Sequence, residues 1–167
     1  MKTYTIILLL LLNTMCLAQN FKTEDIKIND LIDGTLYTPE KVTKKTKLVI
    51  LIAGSGSTNR NGNQPEAFIV TNGYKYLGQD LAKNNIAVFT YDKRSIKLAK
   101  EKKLNEKDLN FEDFITDAVL VLDYFKKENK FKKILFAGHS EGSLIGMIAA
   151  KNGVDGYISI AGAGESM

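Results

Sequence analysis

The residues with the clearest chemical potential are Gly138-His139-Ser140-Glu141-Gly142, a Gly-x-Ser-x-Gly pentapeptide between two apolar runs. Ile134 to Ala137 before it reads as a buried strand, and Leu144, Ile145, Met147, Ile148 and Ala149 after it as a helix apolar on nearly all sides. A serine thrown clear of a sheet by a sharp strand-to-helix turn needs neighbours without side chains, which Gly138 and Gly142 supply. The helix then aims free N–H groups and its positive dipole end back at the serine, where a developing oxyanion would sit. That geometry suits nucleophilic attack by Ser140.

A second stretch follows the apolar run Leu48 to Ala53, which reads as a central strand: Gly54-Ser55-Gly56-Ser57-Thr58-Asn59-Arg60-Asn61-Gly62-Asn63. Glycines placed directly after a buried strand let backbone N–H groups point into a shared space, so this loop can donate to an oxyanion. It lacks the spacing and lysine of a phosphate-binding loop, and no Gly-x-Gly-x-x-Gly occurs, which weakens a nucleotide reading.

A serine hydroxyl needs a base, usually a histidine oriented by a carboxylate. The chain has one histidine, His139. It sits directly before Ser140, where a sharp turn sends consecutive side chains apart, so a structural role beneath the elbow or against a neighbouring loop is expected. Downstream of Ser140 the carboxylates are Glu141, Asp155 and Glu165. Glu141 is expected to face out of the elbow, Asp155 to lie in a helix-to-strand turn, and Glu165 in a final loop.

The elements that must position these residues alternate. Ile26, Ile28 and Leu31, then Gly34 to Pro39, read as two short strands turning at Asp33-Gly34. Tyr74, Leu77, Leu81 and Ala82 form a helical face closed by Asn84-Asn85, and Ile86 to Tyr91 is the next strand, ending in Asp92-Lys93-Arg94. The lysine-rich Ser95 to Asp108 reads as a mobile surface loop. Phe111, Phe114, Ile115, Ala118, Leu122 and Phe125 share a helix face entered through Asn110, and Tyr157 to Ala161 is a last strand. Strands alternating with helices predict an α/β class with a mostly parallel sheet and a leading antiparallel hairpin.

Composition bounds the remainder. Residues 1–18 carry Lys2, the apolar Ile6 to Leu12 and then Cys16-Leu17-Ala18, which reads as a signal peptide cleaved after Ala18, leaving 19–167 as one domain. The apolar core is short for a retained membrane span, and Asn13-Thr14-Met15 poorly suits lipid attachment at Cys16. An exported, periplasmic or secreted protein without stable membrane insertion is expected. Cleavage removes the single Cys, so stability must come from packing instead of disulfides. The net charge of +4 is spread over lysines interleaved with acids, without arginine clusters, which argues against nucleic-acid binding. Nothing in the spacing calls for a cofactor or a metal.

The order of a hairpin, a strand with Gly54-Ser55-Gly56, a strand with Tyr91-Asp92-Lys93-Arg94, a strand with Gly138 to Gly142 and a strand with Ala161-Gly162-Ala163-Gly164 resembles the α/β-hydrolase fold. Within it the chain resembles exported bacterial hydrolases described as esterase-like or serine-aminopeptidase-like, from about Ile26 onward. Ser57, Asn59 and Ser95 depart from the Pro, Asp and Gly of those families' loops. The resemblance implies that Ser140 is the nucleophile and that the oxyanion donors are the backbone N–H groups of Ser55 and Glu141, with Gly54, Gly56, Gly138 and Gly142 giving backbone access. It also implies chain order Ser, acid, His, so the chain is expected to be an N-terminal portion of such a hydrolase. Three functions remain open: hydrolysis of an ester or other small acyl substrate, peptide cleavage, and a catalytically incomplete or binding-only domain prone to self-association through an exposed sheet edge.

Overall fold

The computed structural model describes residues 20–163, so the predicted signal segment 1–18, with Cys16, and Glu165 lie outside the described residues. Six strands form one sheet in the order β1-β2-β4-β3-β5-β6: β1 is Phe21–Lys27, β2 Asp33–Pro39, β3 Lys47–Ile52, β4 Ile86–Tyr91, β5 Lys133–His139 and β6 Gly156–Ile160. Strands β1 and β2 pair antiparallel, and β2 joins β4 antiparallel. The ladders among β4, β3, β5 and β6 are parallel. Four helices connect them: α1 (Gly73–Lys83), α2 (Arg94–Lys100), α3 (Phe111–Glu128) and α4 (Glu141–Ala149). Among the described residues no helix is long and apolar enough to cross a membrane.

The period-two alternation of strand side chains divides the core between two faces. Leu48, Ile50 and Ile52 of β3 join Phe89, Phe136, Leu122, Val121 and Phe125 on the face covered by α3 and α4. Val49 and Leu51 join Val88, Ala137, Tyr37 and Ala82 on the face covered by α1. Phe89 and Phe125 meet edge to face with centroids 4.9 Å apart, a favoured arrangement for aromatic quadrupoles. The α3 helix starts where Asn110 predicts, and the Asp113 carboxylate accepts from the Asn110 N–H at 2.9 Å.

Two expectations are corrected. The turn of the leading hairpin is Ile28–Ile32, not Asp33-Gly34. Asn29 Oδ1 accepts from the Leu31 and Ile32 amides at 2.8 Å each, an Asx-type turn that substitutes for the Asp-Gly one. Gly34 instead lies within β2, where an added Cβ would stand 2.1 Å from the Phe89 ring, so its lack of a side chain serves packing. The predicted mobile loop begins as a helix: Ser95 and Ile96 of α2 are buried, because the Arg94 guanidinium is anchored to α3. Helix α4, apolar on nearly all sides, is only partly covered. Ile145 and Ala149 are buried, while Leu144, Met147 and Ile158 of the neighbouring β6 are exposed among the described residues.

The anchor of α2 is a two-pronged ion pair. Arg94 Nε and Nη2 donate to the two carboxylate oxygens of Asp117 at 2.8 and 2.7 Å, and Nη1 lies 2.7 Å from Asp113 Oδ1. Asp117 is buried, so removing it strands a cation. Asp117→Ala should destabilise the protein by about 3 kcal/mol, read from denaturant unfolding. A second expectation concerns alkali. Burial raises the Tyr91 hydroxyl far above its ordinary value, with the Asp117 carboxylate adding to it, and burial also raises Tyr37 and Tyr74. A phenol raised in the folded state contributes stability below its unfolded value near 10 and loses it as pH climbs above that value. Above about pH 10, tyrosinate absorbance from these groups should therefore appear together with loss of helical circular dichroism.

Candidate active site

The elbow is built by close backbone contact. An added Cβ on Gly138 would stand 2.1 Å from the Gly142 carbonyl oxygen, and one on Gly142 would stand 2.3 Å from the Ile52 carbonyl oxygen. Neither distance accommodates a side chain, so the pentapeptide glycines bring α4 down onto the end of β3. Between them Ser140 takes φ +53°, ψ −120°, a conformation that L residues rarely adopt and that costs about 1–3 kcal/mol. Hydrogen bonds hold it there. The Ser140 amide donates to the Ile160 carbonyl at 2.9 Å, and the Ser143 amide donates back to the Ser140 carbonyl at 2.9 Å. The buried Ser143 hydroxyl donates to the Gly138 carbonyl at 2.6 Å, and the Tyr157 hydroxyl to the Ser143 carbonyl at 2.6 Å.

The loop after β3 reaches the same place. A side chain on Gly54 would lie 3.3 Å from Ser140 Cβ and 3.2 Å from His139 Nδ1. The loop is fastened by its own polar side chains. Gln64 Nε2 donates to the Ser55 carbonyl at 2.7 Å, and Thr58 Oγ1 donates to the same carbonyl at 3.2 Å. Asn59 Oδ1 accepts from the Asn61 and Asn63 amides at 3.0 Å each. Arg60 forks onto Asp92 through Nε at 3.0 Å and Nη2 at 2.7 Å, while its amide donates to Asp92 Oδ1 at 2.7 Å. Asp92 is buried and follows β4, so the loop is tied to the sheet by a charge-assisted clamp.

A cavity of about 260 Å³ is lined by Gly54, Ser55, Tyr74, His139 and Ser140, which brings the predicted Ser140 and Ser55 together. A second, of about 410 Å³, is lined by Gly56, Lys93, Leu104, Leu109, Phe114 and Glu141. As the first residue of α4, Glu141 has an amide with no acceptor inside the helix.

The side chains near Ser140 have partners that spacing does not reveal. His139 Nδ1 shares a hydrogen bond of 3.0 Å with the Tyr74 hydroxyl, which also accepts from the Gly54 amide at 3.4 Å. The imidazole is thus engaged with α1, and burial raises the Tyr74 hydroxyl while the Gly54 amide opposes that rise. Glu141 does not face out of the elbow: its Oε2 accepts from Lys93 Nζ at 2.8 Å. Asp155 lies in the turn before β6, where its Oδ2 accepts from the Ile134 amide at 2.8 Å, a structural task. Tyr74 and Lys93 are the two residues that the sequence placed on elements without a role. For Lys93 the available signal was its position directly after a buried strand. Among the described residues no three His, Cys, Asp or Glu side chains gather as a metal would require.

Since the elbow depends on bare backbone at Gly142, Gly142→Ala should force α4 off β3. A loss of at least about 2 kcal/mol is expected in thermal or denaturant unfolding.

Comparison with known proteins agrees with this architecture. Residues 70–165, more than half of the chain, match the family described as serine aminopeptidase, S33. No curated protein matches the sequence. Among solved structures the chain is similar to dienelactone hydrolase from Anabaena variabilis, with a TM-score of 0.63 at 18% identity over 86% of this chain and 64% of that one. It is likewise similar to an α/β serine hydrolase homologue from Coxiella burnetii, with a TM-score of 0.56 at 17% identity over 83% of this chain and 61% of that one. For the siderophore hydrolase EstB from Aspergillus fumigatus the TM-score is 0.57 at 17% identity, covering 87% of this chain and 44% of that one. The chain thus spans less than two thirds of the length of each of these proteins. Identities this low speak for the fold, and the sequence match supplies the rest: the chain belongs to the serine aminopeptidase, S33, family of α/β-hydrolases.

Proposed function

We propose that the protein is a serine hydrolase that transfers an acyl group to water through an acyl-enzyme on Ser140. The observation that carries this reading is the backbone of Ser140, held at φ +53° between two glycines on the cavity that Ser55 also lines. Glycine would take this conformation without strain, so a serine kept at the apex of the strand-turn-helix points to function, because strain maintained by surrounding structure clusters at functional sites. In this reading Ser140 gives its hydroxyl proton to a general base as Oγ attacks the substrate carbonyl carbon, whose π electrons move onto oxygen. The resulting oxyanion accepts from the Glu141 and Ser55 amides, each worth about 3 kcal/mol in comparable sites. Collapse breaks the bond to the leaving group, which takes up that proton, and water then attacks the acyl carbon, forming the free acid and returning a proton to Ser140 Oγ.

His139 is assigned no part in proton transfer: among the described residues its ring bonds to the Tyr74 hydroxyl and not to Ser140 Oγ. Ester and peptide hydrolysis both begin with attack on a carbonyl, so substrate choice is a separate matter from the nucleophile. Placement outside the cytoplasm rests on the leading segment alone, with Lys2, Ile6 to Leu12 and Ala18.

A fluorophosphonate probe tests the assignment directly. Mass spectrometry should find the probe on the peptide containing Ser140, and Ser140→Ala should abolish it. Wild-type protein that resists the probe, or labelling that persists in the variant, would overturn the assignment. A panel of nitrophenyl esters and aminoacyl nitroanilides then separates ester from peptide preference.

A further inference from the structure

We infer that Lys93 is a positioning residue for both proposed oxyanion donors, an inference that rests on the hydrolase reading above. Its side chain is 6% exposed, and its ammonium makes two hydrogen bonds, to the Gly54 carbonyl at 3.0 Å and to Glu141 Oε2 at 2.8 Å. It also lies 4.3 Å from the centroid of the Phe114 ring, whose face attracts a cation. A charge this buried is fixed by its partners, because leaving them would strand it in a poorly solvating interior.

Each of its two acceptors governs one donor. The Gly54 carbonyl belongs to the peptide unit that carries the Ser55 N–H, and that unit is planar and trans. Holding the carbonyl therefore aims the Ser55 N–H the opposite way. Lys93 lines the larger cavity with Glu141, whereas Gly54, Ser55 and Ser140 line the smaller one, so the ammonium holds this peptide from the side away from Ser140. A cation bonded to the carbonyl also polarises the peptide and makes its N–H a stronger donor. The second acceptor, Glu141, opens α4, so the same ammonium fixes the start of the helix whose first amide is the other donor. The β3–β5 ladder ends at Ile52 and Gly138, and beyond it Lys93 bridges the two elements on one side as Tyr74 does on the other.

The test compares wild type with Lys93→Met, which keeps the stem against Phe114 and removes the donors. In amide NMR spectra the Ser55 and Glu141 resonances should both shift, while those of β1 and β2 stay. The rate of fluorophosphonate labelling at Ser140 should fall by about 10- to 100-fold, below the loss for deleting a donor outright. A purely structural lysine would lower the melting temperature without singling out those two amides, and unmoved amides with an unchanged labelling rate overturn the inference. Should Lys93→Met fail to fold, Glu141→Gln gives the answer from the other side: it must shift the Ser55 amide, on a different element, and an unshifted Ser55 counts against the inference. Wild-type protein that resists the probe tells against the hydrolase reading only, and the amide shifts then decide the role of Lys93 alone.

Discussion

The arrangement around Ser140 depends on one contact, the approach of two backbones at Gly138, Gly142 and the carbonyl of Ile52. Interiors are close-packed, and helices ordinarily stand off a sheet by the length of their side chains. Here the first turn of α4 loses that spacer and rests on β3 itself. The consequence runs outward: the turn must be sharp, Ser140 must take a positive φ, and the start of α4 comes to lie beside the loop after β3. Had either glycine carried a methyl group, the other features would have no common place to meet.

A second constraint is electrostatic and comes from three consecutive residues. Asp92, Lys93 and Arg94 leave β4 and reach in three directions, to Arg60 in the loop, to Gly54 and Glu141 at the elbow, and to Asp117 on α3. All three sites are partly or wholly removed from water, and each charge meets an opposite one. Such pairs contribute little net stability over apolar substitutes, since desolvation offsets much of their attraction. What they impose is direction: a fork or an ammonium between fixed acceptors tolerates few alternative geometries. The strand end thus acts as a hub that places loop, elbow and helix relative to each other, while the two apolar faces of the sheet supply the cohesion.

What could be read from the sequence follows the range of the forces involved. Strand β4, helix α3 with its Asn110 start, and the elbow itself announce themselves through local periodicity and local steric need, and they stand where those patterns put them. The hairpin turn was misplaced because Asn29 offers a side-chain turn as good as the Asp-Gly signal, and because Gly34 answers to Phe89, a partner 55 residues away. Helix α2 is illegible because its seven residues are too few to show an apolar stripe; the Arg94–Asp117 pair and the buried Ile96 fix its place. The partners of His139 and Glu141 were illegible for the same reason. Tyr74 is 65 residues from the first and Lys93 is 48 from the second, and no pattern in the chain encodes those pairings.

The hydrogen bond from the Ser140 amide to Ile160 ties the elbow to β6, one of the two outer strands of the described sheet, whose Ile158 is exposed. Outer strands open locally at a smaller free-energy cost than central ones, and they do so as cooperative units. Each fraying event at β6 would withdraw the acceptor that holds Ser140 in its strained backbone state and would also loosen Ser143, whose hydroxyl and carbonyl both bond to that strand. The elbow therefore inherits its lifetime from an edge ladder of the described sheet, and whatever covers that strand also sets how long Ser140 stays in register.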